Sequence, residues 1–259
     1  MPRRPPLQNL SVVVTRPAHS SHNICHQLAS AGASPIAFPC LEIKTNPDAH
    51  LDSYAQQLER SDILIFTSKN AVNHAFHNIS NLTEICAQKP CILAVGEATA
   101  RALNLHGVEQ VMAPKHSTDS EALLKLEALQ QVKKNMILII KGVGGRELLY
   151  DTLMARGAIV HNMEIYQRDL PSRVDLAPLR NKIDLILFTS SESVDNFLTL
   201  TTDCLQQSLL ACQTIVGHPR IAAKVSSLGF KKMPIIATTP SDADMLAAIH
   251  LWAREHLAH

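Results

Sequence analysis

Small and hydroxyl-bearing residues follow four apolar segments of the chain, at the points where helix-like patterns begin. These turns are Thr67-Ser68-Lys69, Gly96-Glu97, Gly142-Val143-Gly144-Gly145 and Thr189-Ser190. If the preceding segments are parallel strands, the turns lie at the carboxyl ends of a sheet, where free helix N–H groups and the helix dipole hold anions. Small side chains let the backbone approach such a ligand closely. The same residue types also simply cap helices and turn the chain, so both interpretations stay open.

The overall charge of the chain is close to neutral. Lys and Arg total 24 and Asp and Glu total 23, which gives a formal net charge of +1. No global field therefore attracts nucleic acid or a membrane surface, and an anionic ligand has to be held by local geometry. Four basic residues are candidates for that task, each expected to be solvent-exposed and without a specific role: Arg16, Lys69, Lys141 and Arg146.

The segment from Gly142 to Glu147 contains a Gly-x-Gly pattern, which also occurs in dinucleotide-binding loops. Glu147 stands where the third glycine of that fingerprint belongs, and no Gly-Lys-Ser/Thr motif follows. The sequence therefore does not favour nucleotide binding.

Histidine and cysteine spacing decides whether a metal is expected. His19, His22 and His26 would share one face of a helix, but a zinc site needs a further ligand, and 13 scattered histidines make such spacing common by chance. The six cysteines form no Cys-x-x-Cys pair, which is typical of reduced thiols in a cytosolic protein. We found neither a secretory h-region nor an apolar run near the about 18 residues that span a bilayer. The expectation is a cytoplasmic protein without metal.

Short β-branched segments recur along the chain, and each is followed by a turn, a helical pattern and, in most cases, a glycine. Because the apolar runs are continuous rather than alternating, they indicate strands buried on both faces of a parallel sheet. The segments are SVVVT, ILIFT, CILAV, MILII, LILFT and TIV. This pattern predicts an α/β fold with doubly wound parallel sheets.

The strand and helix pattern occurs twice in the chain as an internal repeat. Residues 62–76 (DILIFTSKNAVNHAF) match residues 184–198 (DLILFTSSESVDNFL) at a spacing of 184 − 62 = 122. Further matching pairs are 95–107 with 216–229, 117–126 with 240–249, and 12–32 with 137–157. The chain is therefore predicted to contain two copies of one α/β unit.

Two extended segments interrupt this pattern, residues 37–43 (AFPCLEI) and 164–171 (EIYQRDLP). They contain or adjoin proline and occupy matching positions in the two halves. The residues alone allow a narrow bridge between two domains or two ordinary sheet strands.

Taken together, an ordered set of segments resembles the uroporphyrinogen-III synthase family over nearly the whole chain. The segments are VVVTRP, DILIFTSKNAV, ILAVGEATARAL, ILIIKGVGGRELLYDTLMARGA, EIYQRD and TIVGHPRIAAKVSSLGF. The resemblance implies a cofactor-free lyase of porphyrin and heme biosynthesis. Its substrate is hydroxymethylbilane, a linear tetrapyrrole with eight carboxylates, which it closes to uroporphyrinogen III with inversion of ring D and loss of water.

The resemblance also implies an architecture of two similar domains joined by a two-stranded ladder, with a cleft between them. On this sequence one domain is discontinuous, residues 1–36 plus 171–259, and residues 44–163 are inserted into it. Residues 37–43 and 164–170 become the connecting strands. A monomer that binds a small polycarboxylate, and neither nucleic acid, membrane, metal nor cofactor, is expected.

Carried over residue by residue, the family pattern makes Tyr166 the catalytic candidate, since a phenol O–H can be donated to the departing hydroxyl. The other two tyrosines, Tyr54 and Tyr150, fall in helical patterns and are expected to be structural. Thr99 matches a threonine of the family and is a candidate for substrate binding. The other candidates are residues of the strand-end turns and two arginines: Arg16, Ser68, Gly96, Gly142, Gly144, Gly145, Ser190 and Arg220.

One alternative comes from another class of protein. Paired α/β domains around a cleft also occur in two-lobed cytoplasmic proteins that bind or sense small molecules. We found no signal peptide for a periplasmic version and no helix-turn-helix or basic arm for a regulator. Fold analogy alone does not choose between an enzyme and a binding protein, whereas the ordered segments favour the enzyme.

Overall fold

The computed structural model describes residues 6–49, 51–115, 119–145 and 147–256. The chain divides into two compact units, Met1–Glu42 with Asp169–His259 and Ile43–Arg168. Each unit has its own sheet, so the predicted α/β class is confirmed. Within the described ranges, no helix combines the length and apolar character needed to cross a membrane.

The strands and helices alternate along most of the chain. The described strands are β1 (Ser11–Val14), β2 (Ser34–Ala37), β3 (Glu42–Thr45), β4 (Ile63–Phe66), β5 (Cys91–Ala94), β6 (Val111–Met112), β7 (Met136–Gly142), β8 (Ile159–Asp169), β9 (Leu185–Phe188), β10 (Gln213–Val216) and β11 (Ile235–Ile236). The described helices are α1 (Ala18–Ser30), α2 (Leu51–Arg60), α3 (Lys69–Asn78), α4 (Leu82–Ala87), α5 (Glu97–Leu105), α6 (Ser120–Leu123), α7 (Leu148–Ala155), α8 (Ser191–Leu200), α9 (Asp203–Leu209), α10 (Pro219–Ser227) and α11 (Asp242–His256), with 3-10 turns at Glu127–Leu129 and Ala177–Arg180.

The sheet of the discontinuous unit has the strand order β11-β10-β9-β1-β2, and every neighbouring pair is parallel. Val12 and Val14 of β1 face one hydrophobic cluster, while Val13 between them faces another. Both faces of the strand are therefore buried, which explains why its sequence is continuously apolar.

The sheet of the continuous unit has the order β3-β8-β7-β4-β5-β6, with parallel pairing from β8 to β6. Leu64 and Phe66 of β4 face one cluster, and Ile63 and Ile65 face the opposite one. The two sheets correspond strand by strand, since β2-β1-β9-β10-β11 matches β8-β7-β4-β5-β6. The predicted duplication is confirmed.

Helix ends follow local chemistry in both units. The glycines expected to end helices have φ angles of 83–92°, the left-handed conformation that suits glycine at a helix C-terminus: Gly32, Gly107, Gly157 and Gly229. At the start of α3 and α8, Ser68 and Ser190 act as N-caps, as their positions before a helical pattern predict.

The two extended segments behave differently from each other. β2 ends at Ala37, before Pro39, whose missing N–H would interrupt further pairing. β8 continues for 11 residues and has β3 as its other neighbour, with the Asn46 N–H donating to the Ile165 carbonyl at 3.0 Å. The limits 37–43 and 164–170 for connecting strands stay a prediction.

Candidate active site

The strand order of the continuous unit creates a topological switch point between β4 and β7. After β4 the chain proceeds to β5 on one side, and after β7 it proceeds to β8 on the other. Ligands of open α/β sheets bind outside the carboxyl ends of the strands at such points. A cavity of about 380 Å³ lies there, lined by residues after β4, after β7 and along β8.

Tyr166 is a buried residue that lines this cavity. The residue is 4% exposed, and its ring stacks on His74 with centroids 5.7 Å apart. Its hydroxyl lies 3.1 Å from Ser68 Oγ, and either oxygen can be the donor. The phenol is therefore oriented by packing on its ring and by a hydrogen bond at its tip.

Ser68 connects Tyr166 to the N-terminus of α3. Its Oγ accepts a hydrogen bond from the Ala71 N–H at 3.0 Å, as the N-cap serine of a ten-residue helix. One oxygen therefore contacts both a free helix terminus and the phenol, where the partial positive charge of the helix favours a negative ligand group.

Gly142 allows the Tyr166 ring to occupy its position. A Cβ on Gly142 would stand 2.6 Å from Tyr166 Cζ, closer than van der Waals contact allows. The pairing register shifts here, since Lys141 pairs with Glu164 but Gly142 pairs with Tyr166. Such a bulge redirects a side chain, and bulges are frequent next to active sites.

The loop after Gly142 lines the cavity, and its first N–H, that of Val143, donates to the Tyr166 carbonyl at 2.8 Å. Gly144 and Gly145 have φ angles of 72° and 90°, which only glycine adopts without strain, and no atom lies within 4 Å of a Cβ built on either. The Gly144 N–H donates to Glu164 Oε1 at 3.2 Å. The loop thus already binds a carboxylate of the protein itself.

Lys141 is a buried cation in the cavity wall. The residue is 7% exposed, and its Nζ lies 3.0 Å from Glu147 Oε1. The expectation that Lys141 is solvent-exposed is wrong, because its stem continues the buried strand β7 and its charge is neutralised by the acid that follows the glycine loop. Lys69, in contrast, is exposed as expected.

Gly96 and Thr99 lie near the next strand end rather than in this cavity wall. Gly96 caps α5 with extended backbone, and the Thr99 N–H donates to the Gly96 carbonyl at 3.0 Å. Thr99 is 4% exposed, and Val95 is the residue of this turn that reaches the cavity. Their contact with substrate stays a prediction.

The remaining candidates belong to the discontinuous unit. The expectation that Arg16 is solvent-exposed is wrong. Its guanidinium pairs with Asp242 and donates to the Pro240 carbonyl. Ser190 caps α8, and Arg220 is exposed at the start of α10. Arg146 lies outside the described residues.

Several residues of the cavity wall were not predicted from the sequence. Tyr150, expected to be only structural, lines the cavity from α7, and Asn162 and Arg168 line it from β8. Asn162 and Tyr166 come from the same strand, but the register shift before Tyr166 interrupts the alternation of side chains between them, so strand periodicity did not point to Asn162. The Asn162 Oδ1 is buried and has no hydrogen-bond partner among the described residues.

Thiol and metal chemistry find little support in the described residues. Burial raises the pKa of Cys86 to about 12 and that of Cys212 to about 11, so both thiols stay protonated and unreactive at neutral pH. No group of three or more His, Cys, Asp or Glu in the described ranges is arranged to hold a metal ion.

The fold and the cavity together define a class: an α/β protein of two repeated units, with a switch-point pocket suited to an anionic small molecule. Comparison with known proteins makes the assignment specific. A family model described as Uroporphyrinogen-III synthase HemD matches residues 23–247. The uroporphyrinogen-III synthase of Escherichia coli K12 is 29% identical over 242 residues, which cover 90% of this chain and 98% of that protein.

Two further matches agree. The uroporphyrinogen-III synthase of Proteus mirabilis is 32% identical over 160 residues, covering 61% of this chain and 80% of that protein. The crystal structure of uroporphyrinogen-III synthetase from Helicobacter pylori 26695 aligns with a TM-score of 0.61 at 20% identity, covering 93% of this chain and 99% of that one. This structural likeness shows a shared fold.

The chain belongs to the uroporphyrinogen-III synthase family, because the family model covers most of its length. It is a lyase of porphyrin biosynthesis that cyclises hydroxymethylbilane. The predicted family and enzyme class are confirmed, and the alternative of a two-lobed binding or sensing protein is not favoured by these relatives.

Proposed function

We propose that the cavity of the continuous unit engages hydroxymethylbilane and that Tyr166 donates a hydrogen bond to the hydroxyl that leaves it. The observation that carries this proposal is the 3.1 Å contact between the Tyr166 hydroxyl and Ser68 Oγ at the N-terminus of α3. A donor on the departing oxygen lowers the barrier to its loss. Ser68 holds the phenol in place before substrate arrives, so little reorganisation is needed.

Carboxylates of the bilane are held next to this donor by backbone N–H groups. Gly142, Gly144 and Gly145 leave Val143 as the one side chain of this loop, and Ser68 marks the free end of a ten-residue helix. Each exposed charge near a helix N-terminus contributes roughly 0.3–1 kcal/mol. Several such contacts hold a polyanion without any excess of basic residues, which matches the net charge of +1.

The cavity also protects the reactive intermediate from water. Its wall includes the apolar side chains Val95, Ile139 and Leu149 together with the buried Tyr166 ring. Its volume of about 380 Å³ is at the small end of ligand pockets, which span about 300–1,000 Å³. We therefore assign to it the part of the four-ring substrate that loses the hydroxyl, while the rest of the bilane is bound elsewhere.

Contacts from the other candidates are part of the same proposal. Gly96, Thr99, Ser190 and Arg220 are proposed to bind further carboxylates, and Ser190 is supported by capping α8 as Ser68 caps α3. Arg16 is proposed to do so when a carboxylate of the substrate replaces Asp242, which locks it in the free protein. We also propose that the protein acts as a cytoplasmic monomer, with domains 1–36 plus 171–259 and 44–163 connected by residues 37–43 and 164–170.

The substitution Tyr166→Phe tests the role of the phenol. It removes the O–H but keeps the ring, so we expect an unchanged fold and slower formation of the type III isomer. General acids typically accelerate a reaction by about 10²–10⁴-fold. Because bilanes ionise readily, we expect the rate to fall by less than the lower end of that range. Tyr54→Phe is the control, since Tyr54 lies on α2 of the same unit and is absent from the cavity wall.

Unchanged turnover in Tyr166→Phe would remove Tyr166 from the mechanism. The activity itself is tested by supplying hydroxymethylbilane to the purified protein and separating the porphyrin isomers after oxidation. Only the symmetric type I isomer, which forms spontaneously, would overturn the assigned reaction.

A further inference from the structure

Lys141 is a buried charge whose position demands an anion. It is the second-last residue of strand β7, directly before the glycine loop, is 7% exposed, and forms part of the cavity wall. A buried ammonium is costly unless it is paired, so the site always needs a negative partner next to Nζ.

The partner that Lys141 has in this structure is unequally buried. The Glu147 carboxylate lies 3.0 Å from Nζ, yet its side chain is 49% exposed, against 9% for Lys141. Glu147 can turn into water at little cost to itself, whereas Lys141 has to stay in the wall. Glu147 also lines the cavity, so an incoming carboxylate and the Glu147 carboxylate compete for the same ammonium.

A second carboxylate of the protein occupies the same loop. Glu164 Oε1 accepts the Gly144 N–H at 3.2 Å, two residues after the Lys141–Gly142 bulge. Two neighbouring donors of one loop, an ammonium and a backbone amide, are thus each held by an acidic side chain. This pattern indicates a surface built to bind carboxylates.

We infer that Lys141 binds a carboxylate of the substrate and that Glu147 is an internal competitor that occupies this ammonium until the substrate displaces it. The inference rests on the proposed function of the cavity and names the group that recognises one acetate or propionate chain. The apparent affinity for the substrate falls as the fraction of molecules in which Glu147 holds Lys141 rises. In the free enzyme, the same contact keeps the buried ammonium paired.

The two partners therefore have opposite effects on binding. Lys141→Met should raise the KM for hydroxymethylbilane at least about tenfold, the factor expected for one lost charge-assisted hydrogen bond, with a smaller change in kcat. Glu147→Gln should lower the KM, by about two- to fivefold, because an amide competes less well for the ammonium. Lys141→Arg should restore much of the binding, and Lys125→Met, an exposed lysine outside the cavity wall, controls for the loss of one charge.

Titration with uroporphyrin III, an octacarboxylate that does not react, separates this inference from the proposed reaction. Its dissociation constant should rise in Lys141→Met and fall in Glu147→Gln, even if Tyr166 had no role. A weaker binding in both variants would mean that the ion pair is only structural and would overturn the inference. Thermal unfolding of each variant shows whether a change in binding follows from a damaged fold. If Lys141→Met does not fold, the single variants Lys141→Arg and Glu147→Gln still test the inference.

Discussion

Two basic residues occupy the same position of the repeat, one at each switch point. Arg16 follows β1 and Lys141 is the second-last residue of β7, each four residues after the matching positions Val12 and Ile137. Arg16 pairs with Asp242, which also accepts from Asn23, and the two ion-pair side chains are only 13% and 19% exposed. In the discontinuous unit, the cation is closed into a hydrogen-bonded network.

The equivalent cation of the continuous unit faces a cavity instead. Lys141 is as buried as Arg16, but its partner Glu147 is 49% exposed. The neighbouring strands differ as well: β2 has four residues, whereas β8 has 11 and brings Tyr166 next to Gly142. Identical topology therefore supports either a structural lock or a ligand pocket, depending on the partner of one cation and the length of one strand.

The largest difference should appear in stability when each cation is removed. Arg16→Met removes the cation from a mostly buried Asp242 carboxylate, which keeps the Asn23 amide as a donor, and breaking a buried ion pair costs about 3–5 kcal/mol. Because both side chains keep some contact with water, we expect a loss of about 3 kcal/mol in the free energy of unfolding. Lys141→Met leaves Glu147 half exposed and hydrated, so we expect less than about 1 kcal/mol. Urea unfolding measures both values.

Equal losses in the two variants would contradict the distinction between a lock and a pocket. Lys125→Met again serves as the control, since an exposed lysine on the surface contributes within about 0.5 kcal/mol. Its unfolding midpoint should match that of the unmodified chain.

The next effect concerns the Tyr166 ring that packs against Gly142. Gly142 corresponds to Pro17 in the other unit, whose neighbouring strand β2 ends at Ala37. A Cβ at residue 142 meets three ring carbons of Tyr166 at 2.6–3.0 Å. Gly142→Ala should therefore cost about 1–3 kcal/mol of unfolding free energy and slow type III formation.

A double substitution identifies the collision as the cause. In a Tyr166→Ala background the ring is gone, so Gly142→Ala should lose most of its cost. Gly145→Ala is the control, because its cost comes from a φ of 90° and should be the same in both backgrounds. An unchanged cost of Gly142→Ala without the ring would show that the 2.6 Å contact does not determine the identity of this residue.

Much of the fold could be predicted because it depends on local patterns. Strands β4 and β9 are continuous apolar runs since both faces of their sheets are buried. Ser68 and Ser190 were recognisable as caps because the hydrogen bond of an N-cap spans only three residues. The repeat itself identified which strands occupy equivalent places.

The parts that were not predicted depend on partners distant in sequence or on the exact packing of a side chain. The burial of Arg16 requires Asp242, 226 residues away, and nothing near Arg16 indicates that partner. The sequence predicts a structural Tyr150, because a helical pattern does not reveal which part of α7 faces a cavity. The bulge at Gly142 comes from one extra residue of β8, Ile165, between the partners of Lys141 and Gly142, and the segment EIYQRDLP alone does not indicate it.

The smallest effect compares the two capping serines. Ser68 Oγ and Ser190 Oγ each accept a backbone N–H at 3.0 Å, so Ser68→Ala and Ser190→Ala should each lower the free energy of unfolding by about 1 kcal/mol. Only Ser68 also contacts the Tyr166 hydroxyl, and Ser68→Ala should therefore slow type III formation further than Ser190→Ala at equal stability. In Tyr166→Phe, that additional loss should disappear, because the phenol that Ser68 orients is no longer there. If Ser68→Ala slows the Tyr166→Phe enzyme as much as it slows the unmodified one, the serine acts through its helix cap or the substrate, and the two switch points differ less than their geometry implies.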